Sequence, residues 1–286
     1  MAAARLRTLL VLGRVSNLPT VWSNCLAAWL LAGGGEGKRL ALLLASGSCL
    51  YLGGMFLNDA CDAEFDRRQR QERPIPSGLI SRGAVWACGV AGLVAGLLLA
   101  ALLGVWPLGC ALALTAAIVA YDVWHKRNAF ALGLVAVCRF LLYALAGLAT
   151  AGTLSHRVMA AGAGVALYVF GISLLARHES GTNRPPRWPL LLLALPVVPA
   201  FCYTSAGVWG ATVLAVVMFT AWLALALRSM WTPAPQTGWV VSRLLAGLVL
   251  ADWLQVAALA QSWPCAAAYA ALFGLTLLLQ RRVPAT

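Results

Sequence analysis

Ten apolar runs occupy most of this chain, near residues 16–34, 40–58, 83–103, 105–121, 129–151, 157–176, 188–205, 207–227, 239–260 and 263–280. A bilayer core of about 30 Å takes roughly 20 apolar residues of helix, so each run is about the length that crosses it. Only 10% of the 286 residues are charged and 62% are hydrophobic, too little charge to clothe a soluble domain of this size. The expectation is an all-α, polytopic transmembrane helical bundle of nine or ten helices, a single domain over residues 1–286. The number turns on the last pair of runs, which only `QSWP` separates.

The positions of the charges orient the bundle. The opening `MAAARLRTLLVLGR` is basic, but Arg14 cuts its apolar run short, so no cleaved signal peptide is expected and the first long span begins near Ser16. With the N terminus in the cytoplasm, 17 of the 21 Lys and Arg fall on the cytoplasmic side, against Lys38, Arg39 and Arg157 opposite, with Arg139 inside a span. The expected location is therefore a bacterial inner membrane, multi-pass, with a cytoplasmic N terminus. The net charge of +12 reads as topology determinant and anionic-lipid contact, and nucleic acid is not needed to explain it. The eight cysteines are scattered through apolar runs without a CxxC and read as small buried hydrophobes.

Orientation rules do not ask for acids, yet seven of the nine fall at the cytoplasmic ends of spans or in the loops there. Most sit in `LNDACDAEFDRRQRQERPIPSG`, Leu57–Gly78. Asp59, Asp62 and Asp66 are spaced i, i+3, i+7 and spread over about 60° of one helix face, with Asn58 beside them and Glu64 pointing away. Pro74 and Pro76 stop any helix that runs through the arginines. Three carboxylates on one face repel unless a cation compensates. The neighbouring arginines are one solution, as a solvated salt-bridge cluster. Mg²⁺ is the other, since it takes hard oxygen ligands and shares them with phosphate. Nearby arginines then suit a diphosphate, whose oxygens match the guanidinium fork.

`NDACDAEFD` resembles the NDxxDxxxD signature of the UbiA superfamily of membrane prenyltransferases, and `RPIPSG` is similar to the segment that follows it there. The motif also stands at the cytoplasmic end of the second span, as in the family. The resemblance implies helices around a central cavity, with polyprenyl diphosphate, a lipophilic or aromatic acceptor and membrane lipids as partners. It implies Mg²⁺ on Asn58, Asp59, Asp62, Asp66 and Glu179, with Asp62, Asp66 and Lys126 as catalytic residues. Arg67, Arg70, Arg73, Tyr121, Arg127, Arg139 and Asn17 are the expected substrate-binding residues. The implied chemistry is Mg²⁺-dependent transfer of the prenyl group to an acceptor within the membrane.

Two elements depart from the family pattern. Its YxxxK loop reads `YDVWHKRN` here, where Tyr121 is present but Lys126 falls one place late, behind His125. Its second acidic motif reads `LLARHESGTNRPPRWP`, where Glu179 is the lone acid. The reduced second motif is similar to a divergent UbiA-like branch of ebo-type operons, associated with handling or export of a lipid-linked or secondary metabolite. The second reading is accordingly a non-catalytic carrier or exporter; an assembly scaffold has no positive support.

Charges inside spans raise a separate question. Arg139 and Asp252 lie deep in the fifth and ninth spans, where an unpaired charge is expensive. Either they neutralise each other across the bundle, or Arg139 reaches substrate and Asp252 orients it or acts as a base. Asn17 and Asn24, seven apart on the first span, either line a polar mouth or hydrogen-bond to neighbouring helices. Trp106, Trp188, Trp239 and Trp263 stand near span ends, the place of interfacial anchors.

Overall fold

The computed structural model describes residues 2–124, 131–177, 186–230, 232, 237–259 and 263–285. Among the described residues all regular structure is helical. The order is α1 (Ala2–Leu12), a 3-10 turn (Val15–Asn17), α2 (Leu18–Leu31), α3 (Gly37–Gln69), α4 (Arg82–Leu103), α5 (Val105–Trp124) and α6 (Ala131–Ala151). Then come α7 (His156–Ala176), α8 (Pro189–Ala194), α9 (Val197–Cys202), α10 (Trp209–Leu227), α11 (Thr237–Ala257) and α12 (Trp263–Gln280). Eight of these, α3 to α7 and α10 to α12, are long and apolar enough to cross a membrane. The expected polytopic helical bundle is what forms.

Two of the ten predicted runs do not become full-length helices. The first span shortens to the 14 residues of α2: a 3-10 turn after the left-handed Arg14 (φ 41°) takes its first two residues, and the turn at Gly33 and Gly34 (φ 102° and 72°) ends it after Leu31. The run 188–205 divides into α8 and α9 at Pro196, whose ring carries no N–H to continue the ladder. Gln255 of α11 takes up the carbonyl at that break, donating Nε2 to Pro196 O at 2.7 Å. Gly164 and Gly171 of α7 allow the broken segment to lie close: a Cβ on Gly171 would stand 3.1 Å from Pro189 O.

The centre of the bundle is α11, buried at nearly every position from Leu244 to Ala257, whereas in α12 Tyr269 and Thr276 are the buried residues. Outward faces carry apolar side chains such as Leu98, Leu102, Leu191 and Val217, the surface that lipid covers. Trp106, Trp188, Trp239 and Trp263 are exposed at helix ends, where interfacial anchors belong. Arg39, counted among the three exceptions to the charge bias, caps two helices instead. Its guanidinium donates to Leu103 O at 2.8 Å and Ala149 O at 2.9 Å, at the ends of α4 and α6. All eight cysteines are free thiols.

Lipid supplies no hydrophobic drive for helix pairing, so close contact rests on small residues that let backbones approach. α3 and α4 meet this way. A Cβ on Gly53 would stand 2.8 Å from Leu93 N and 2.9 Å from Gly89 O, both backbone atoms that cannot swing aside. At 33 residues α3 rises about 50 Å, well beyond the roughly 30 Å bilayer core, so its last three turns emerge and carry Asp59, Asp62 and Asp66. We expect Gly53→Val to destabilise the detergent-solubilised protein by about 1–3 kcal/mol, the usual range for overpacking. Gly109→Ala, where a Cβ meets nothing within 4 Å, should leave the melting temperature unchanged or slightly higher in the same thermal-unfolding assay.

Candidate functional site

The acids of α3 gather at one end of the bundle. Asp59 and Asp66 are buried, at 5% and 3% exposure, while Asp62 is half-buried and Glu64 faces outward. Glu64 pairs with Arg67 at 3.2 Å and Arg68 at 3.3 Å on the exposed side, as its angle on the helix requires. The loop after α3 folds back so that Arg73 NH1 lies 3.0 Å from Asp59 Oδ1 and its Nε 3.9 Å from Asp66 Oδ2. Arg14 reaches the same carboxylate from the turn before α2, 3.7 Å from Asp59 Oδ1, and its NH2 also donates to Asn58 Oδ1 at 3.5 Å. Asn58 in turn donates Nδ2 to Asp122 Oδ1, 3.1 Å away at the end of α5. The acidic pole therefore spans two helices, with two arginines seated on it.

This end is closed from below. Arg14 O accepts from Tyr51 OH at 3.1 Å, which holds the left-handed residue in place. Ser16 Oγ donates to Pro284 O at 3.4 Å and Asn17 Nδ2 to Ala285 O at 2.9 Å, so the segment after α12 straps the turn before α2. Asn17 is buried under that strap.

Above the pole an open cleft with an internal volume of about 140 Å³ runs between α2, α3, α5 and α6. Its walls are chiefly apolar, among them Val21, Leu50, Met55, Leu114, Ile118 and Leu142, with the rings of Tyr51 and Tyr121. Asp122 lines one part of it and Arg139 another; among the described lining residues they are the one acid and the one base.

Arg139 and Asp252 do not form a direct ion pair; Asn24 stands between them. Asn24 Nδ2 donates to both Asp252 oxygens, at 2.8 and 2.7 Å, while its Oδ1 accepts from Arg139 NH1 at 2.7 Å. Thr20 takes the guanidinium as well, through its carbonyl at 3.3 Å and its hydroxyl at 3.0 Å. Ser23 Oγ and Tyr143 OH complete the shell of the Asp252 carboxylate, each at 2.5 Å. Asp252 is fully buried. Of the two readings from sequence, direct pairing is thus replaced by pairing through an amide, and Arg139 also reaches the cleft.

Residues 17–248, well over half of the chain, match the UbiA prenyltransferase family. The chain belongs to that family. Over 124 residues, 43% of this chain, it is 33% identical to a digeranylgeranylglyceryl phosphate synthase from Methanoculleus marisnigri, a match that spans 44% of that protein. The fold is similar to a UbiA homologue from Aeropyrum pernix K1 (TM-score 0.62, 17% identity, 86% of this chain and 98% of that one). It is also similar to a UbiA homologue from Archaeoglobus fulgidus bound to DMAPP and Mg²⁺ (TM-score 0.54, 14% identity, 96% of this chain and 98% of that one).

In this UbiA chain the structure brings Asn58, Asp59, Asp66 and Arg73 together and sets Tyr121 and Arg139 along the cleft. Arg67 and Arg70 are exposed, and Arg67 is engaged with Glu64 on the opposite face of α3. Lys126, Arg127 and Glu179 lie outside the described residues. Arg14, which the sequence offered only as a topology signal, and Asp122, offered only as one more acid at a span end, are the members of the pole that sequence reasoning missed. The spacing Asn58–Asp122 has no local signature, but an acid directly after Tyr121 in the family's tyrosine loop was the available hint.

As donors, Asn58, Asp59, Asp62, Asp66 and Asp122 are all hard oxygens, the set Mg²⁺ prefers. Among the described residues no three His, Cys, Asp or Glu side chains already converge on one point. Arg73 instead neutralises two of the carboxylates, so a cation would have to take them over from it. The residues fit the ion by chemistry, with the arginines serving as counter-charge otherwise. For the buried network, Asp252→Ala strands the Arg139 guanidinium and should cost about 3–5 kcal/mol in a thermal or chemical unfolding assay. Arg139→Gln combined with Asp252→Asn removes both charges and should recover a substantial part of that loss.

Proposed function

We propose that this chain transfers a prenyl group from a polyprenyl diphosphate to a lipophilic or aromatic acceptor in the membrane, with Mg²⁺ at the acidic pole and that pole facing the cytoplasm. The observation that supports it best is adjacency: a buried pole of Asp59 and Asp66, bridged by Arg73, opens through Asn58 and Asp122 into an apolar cleft. A diphosphate ester with a hydrocarbon tail has the same two-part character.

Asn58, Asp59, Asp62 and Asp66 would hold Mg²⁺, which when bound neutralises charge on the departing diphosphate. Arg73 and Arg14, on yielding the carboxylates, gain phosphate oxygens as partners, and the planar fork suits them. The C–O bond of the donor breaks with its electron pair leaving on the diphosphate. The acceptor's nucleophilic atom then bonds to that carbon and gives up a proton. The apolar walls keep water from the electron-poor carbon, and the Tyr51 and Tyr121 rings offer it π-electron faces. Lys126 and Arg127, expected from the sequence as further phosphate contacts, and Glu179, expected as a further carboxylate, lie outside the described residues.

The test is binding of geranyl thiolodiphosphate, an unreactive donor analogue, with and without Mg²⁺. Wild type should bind at least about tenfold more tightly with the metal, a difference near 1.4 kcal/mol, and Asp62→Ala should lose that increment. Affinity indifferent to both Mg²⁺ and Asp62 would sink the prenyl-transfer reading. What remained would be a carrier of lipid-linked metabolites, the reading favoured by a second acidic motif in which Glu179 is the lone acid.

A further inference from the structure

A second hollow, with an internal volume of about 500 Å³, opens between α10, α11 and α12 and shares no lining residue with the cleft. Ala221, Ala266 and Ala270 leave the space, and Trp222, Trp253 and Phe273 wall it. The three alanines are exposed, so in a bilayer this groove faces hydrocarbon. An empty groove forfeits the dispersion contacts of its lining, and an acyl chain restores them.

A fixed cation stands at one end of it. Trp222 donates Nε1 to Arg243 O at 2.9 Å and meets Phe273 edge-on, ring centroids 4.8 Å apart, so its ring is held. The Arg243 guanidinium lies over that ring, 5.4 Å from its centroid, and 4.8 Å from the centroid of Trp239. Ring faces attract the charge and do not neutralise it. Among the described residues Arg243 makes no salt bridge. Over residues 180–286 the lone acid is Asp252, whose carboxylate is taken by Ser23, Asn24 and Tyr143. Gln280 Nε2 donates to Ser242 O at 3.0 Å, which brings the exposed Arg281 and Arg282 to the same end of α11. From Arg243 to Trp253 is ten residues, about 15 Å of helical rise, half of the roughly 30 Å bilayer core. The groove is one leaflet deep, with its charge at the outer edge of that leaflet.

We propose that this groove binds one anionic phospholipid, with the headgroup phosphate on Arg243 and an acyl chain along Trp222, Phe273 and Trp253. Net charge selects the lipid: a zwitterionic headgroup brings its own cation to a place already crowded with Arg243, Arg281 and Arg282. The chain joins α12, in which Tyr269 and Thr276 are the buried residues, to α10 and α11. Its binding therefore stabilises the helix that ends in the strap over Asn17. The site does not depend on prenyl transfer at the acidic pole.

The probes are dioleoyl phosphatidylglycerol and dioleoyl phosphatidylcholine, which share their chains, titrated into delipidated protein in detergent and followed by native mass spectrometry. Wild type should hold one phosphatidylglycerol at least about tenfold more tightly than phosphatidylcholine, the range of a hydrogen bond between charged groups. Arg243→Gln keeps the carbonyl that holds Trp222 and should cut that preference to under about threefold, less than one such bond. Arg157→Gln removes an arginine from over Tyr203 at the opposite end of the bundle and should leave the preference unchanged. Ala270→Phe keeps every charge, fills the groove and should release both phospholipids. Phosphatidylglycerol should also raise the melting temperature of wild type and not that of Arg243→Gln, since a ligand of the folded state stabilises it.

Equal retention of the two phospholipids by wild type overturns the site. The same preference in wild type and Arg243→Gln also overturns it, leaving a diffuse attraction of lipid to a basic face. A preference that survives in Ala270→Phe removes the lipid from the groove. Displacement of phosphatidylglycerol by geranyl thiolodiphosphate would give the groove to the tail of the prenyl donor. A lipid-free dimer that Ala270→Phe dissociates would give it to a second copy of this chain.

Discussion

Hydrocarbon cannot solvate a charge, so each ion in a membrane bundle is placed either beyond the bilayer core or against an internal partner. Both solutions are visible here and divide the molecule between them. α3 runs long enough to lift Asp59, Asp62 and Asp66 out of the core, where the returning loop can bring Arg73 to them. Arg139 and Asp252 remain inside, and the helices carrying them are tied through α2 by Asn24. The apolar cleft is what lies between these two compensated charge centres.

The same constraint explains why α11, rather than a more uniformly apolar helix, forms the centre of the bundle. It carries Asp252 and Gln255, and neither can face lipid. Gln255 finds the carbonyl freed at Pro196, and Asp252 finds three donors from α2 and α6. The polar residues of the core thus also specify which helices are neighbours, since an apolar contact would tolerate other registers. The family assignment rests on the sequence match over residues 17–248, and the likeness to other UbiA folds on the arrangement of the helices as a whole.

Much of the architecture was legible before any coordinates. Apolar runs of membrane length have one common explanation, and three acids at i, i+3, i+7 beside arginines have few. What the sequence did not disclose was tertiary. Asn17 and Asn24 looked equivalent, seven residues apart on one span, yet Asn17 precedes the helix and bonds to Ala285 while Asn24 bonds to Asp252. The difference arises at Arg14, which adopts a left-handed backbone without being glycine, so no turn signal marked where α2 starts. Arg139 and Asp252 suggested each other as partners because charge is visible in a sequence; the neutral amide that joins them is not. The break at Pro196 was readable in principle, since a proline in mid-run has a known cost, but its compensation by Gln255 was not.

The strap over Asn17 has a consequence for biosynthesis. Asn17 and Ala285 are 268 residues apart in sequence, so their hydrogen bond closes only after all of α2 to α12 has been synthesised and inserted. Until then Tyr51, the Arg14 contacts to Asn58 and Asp59, and the packing of Leu12 on Ala60 and Val85 steady the turn. The strap is therefore among the last contacts of this end of the bundle to form, although the turn it covers is among the first parts of the chain to be translated.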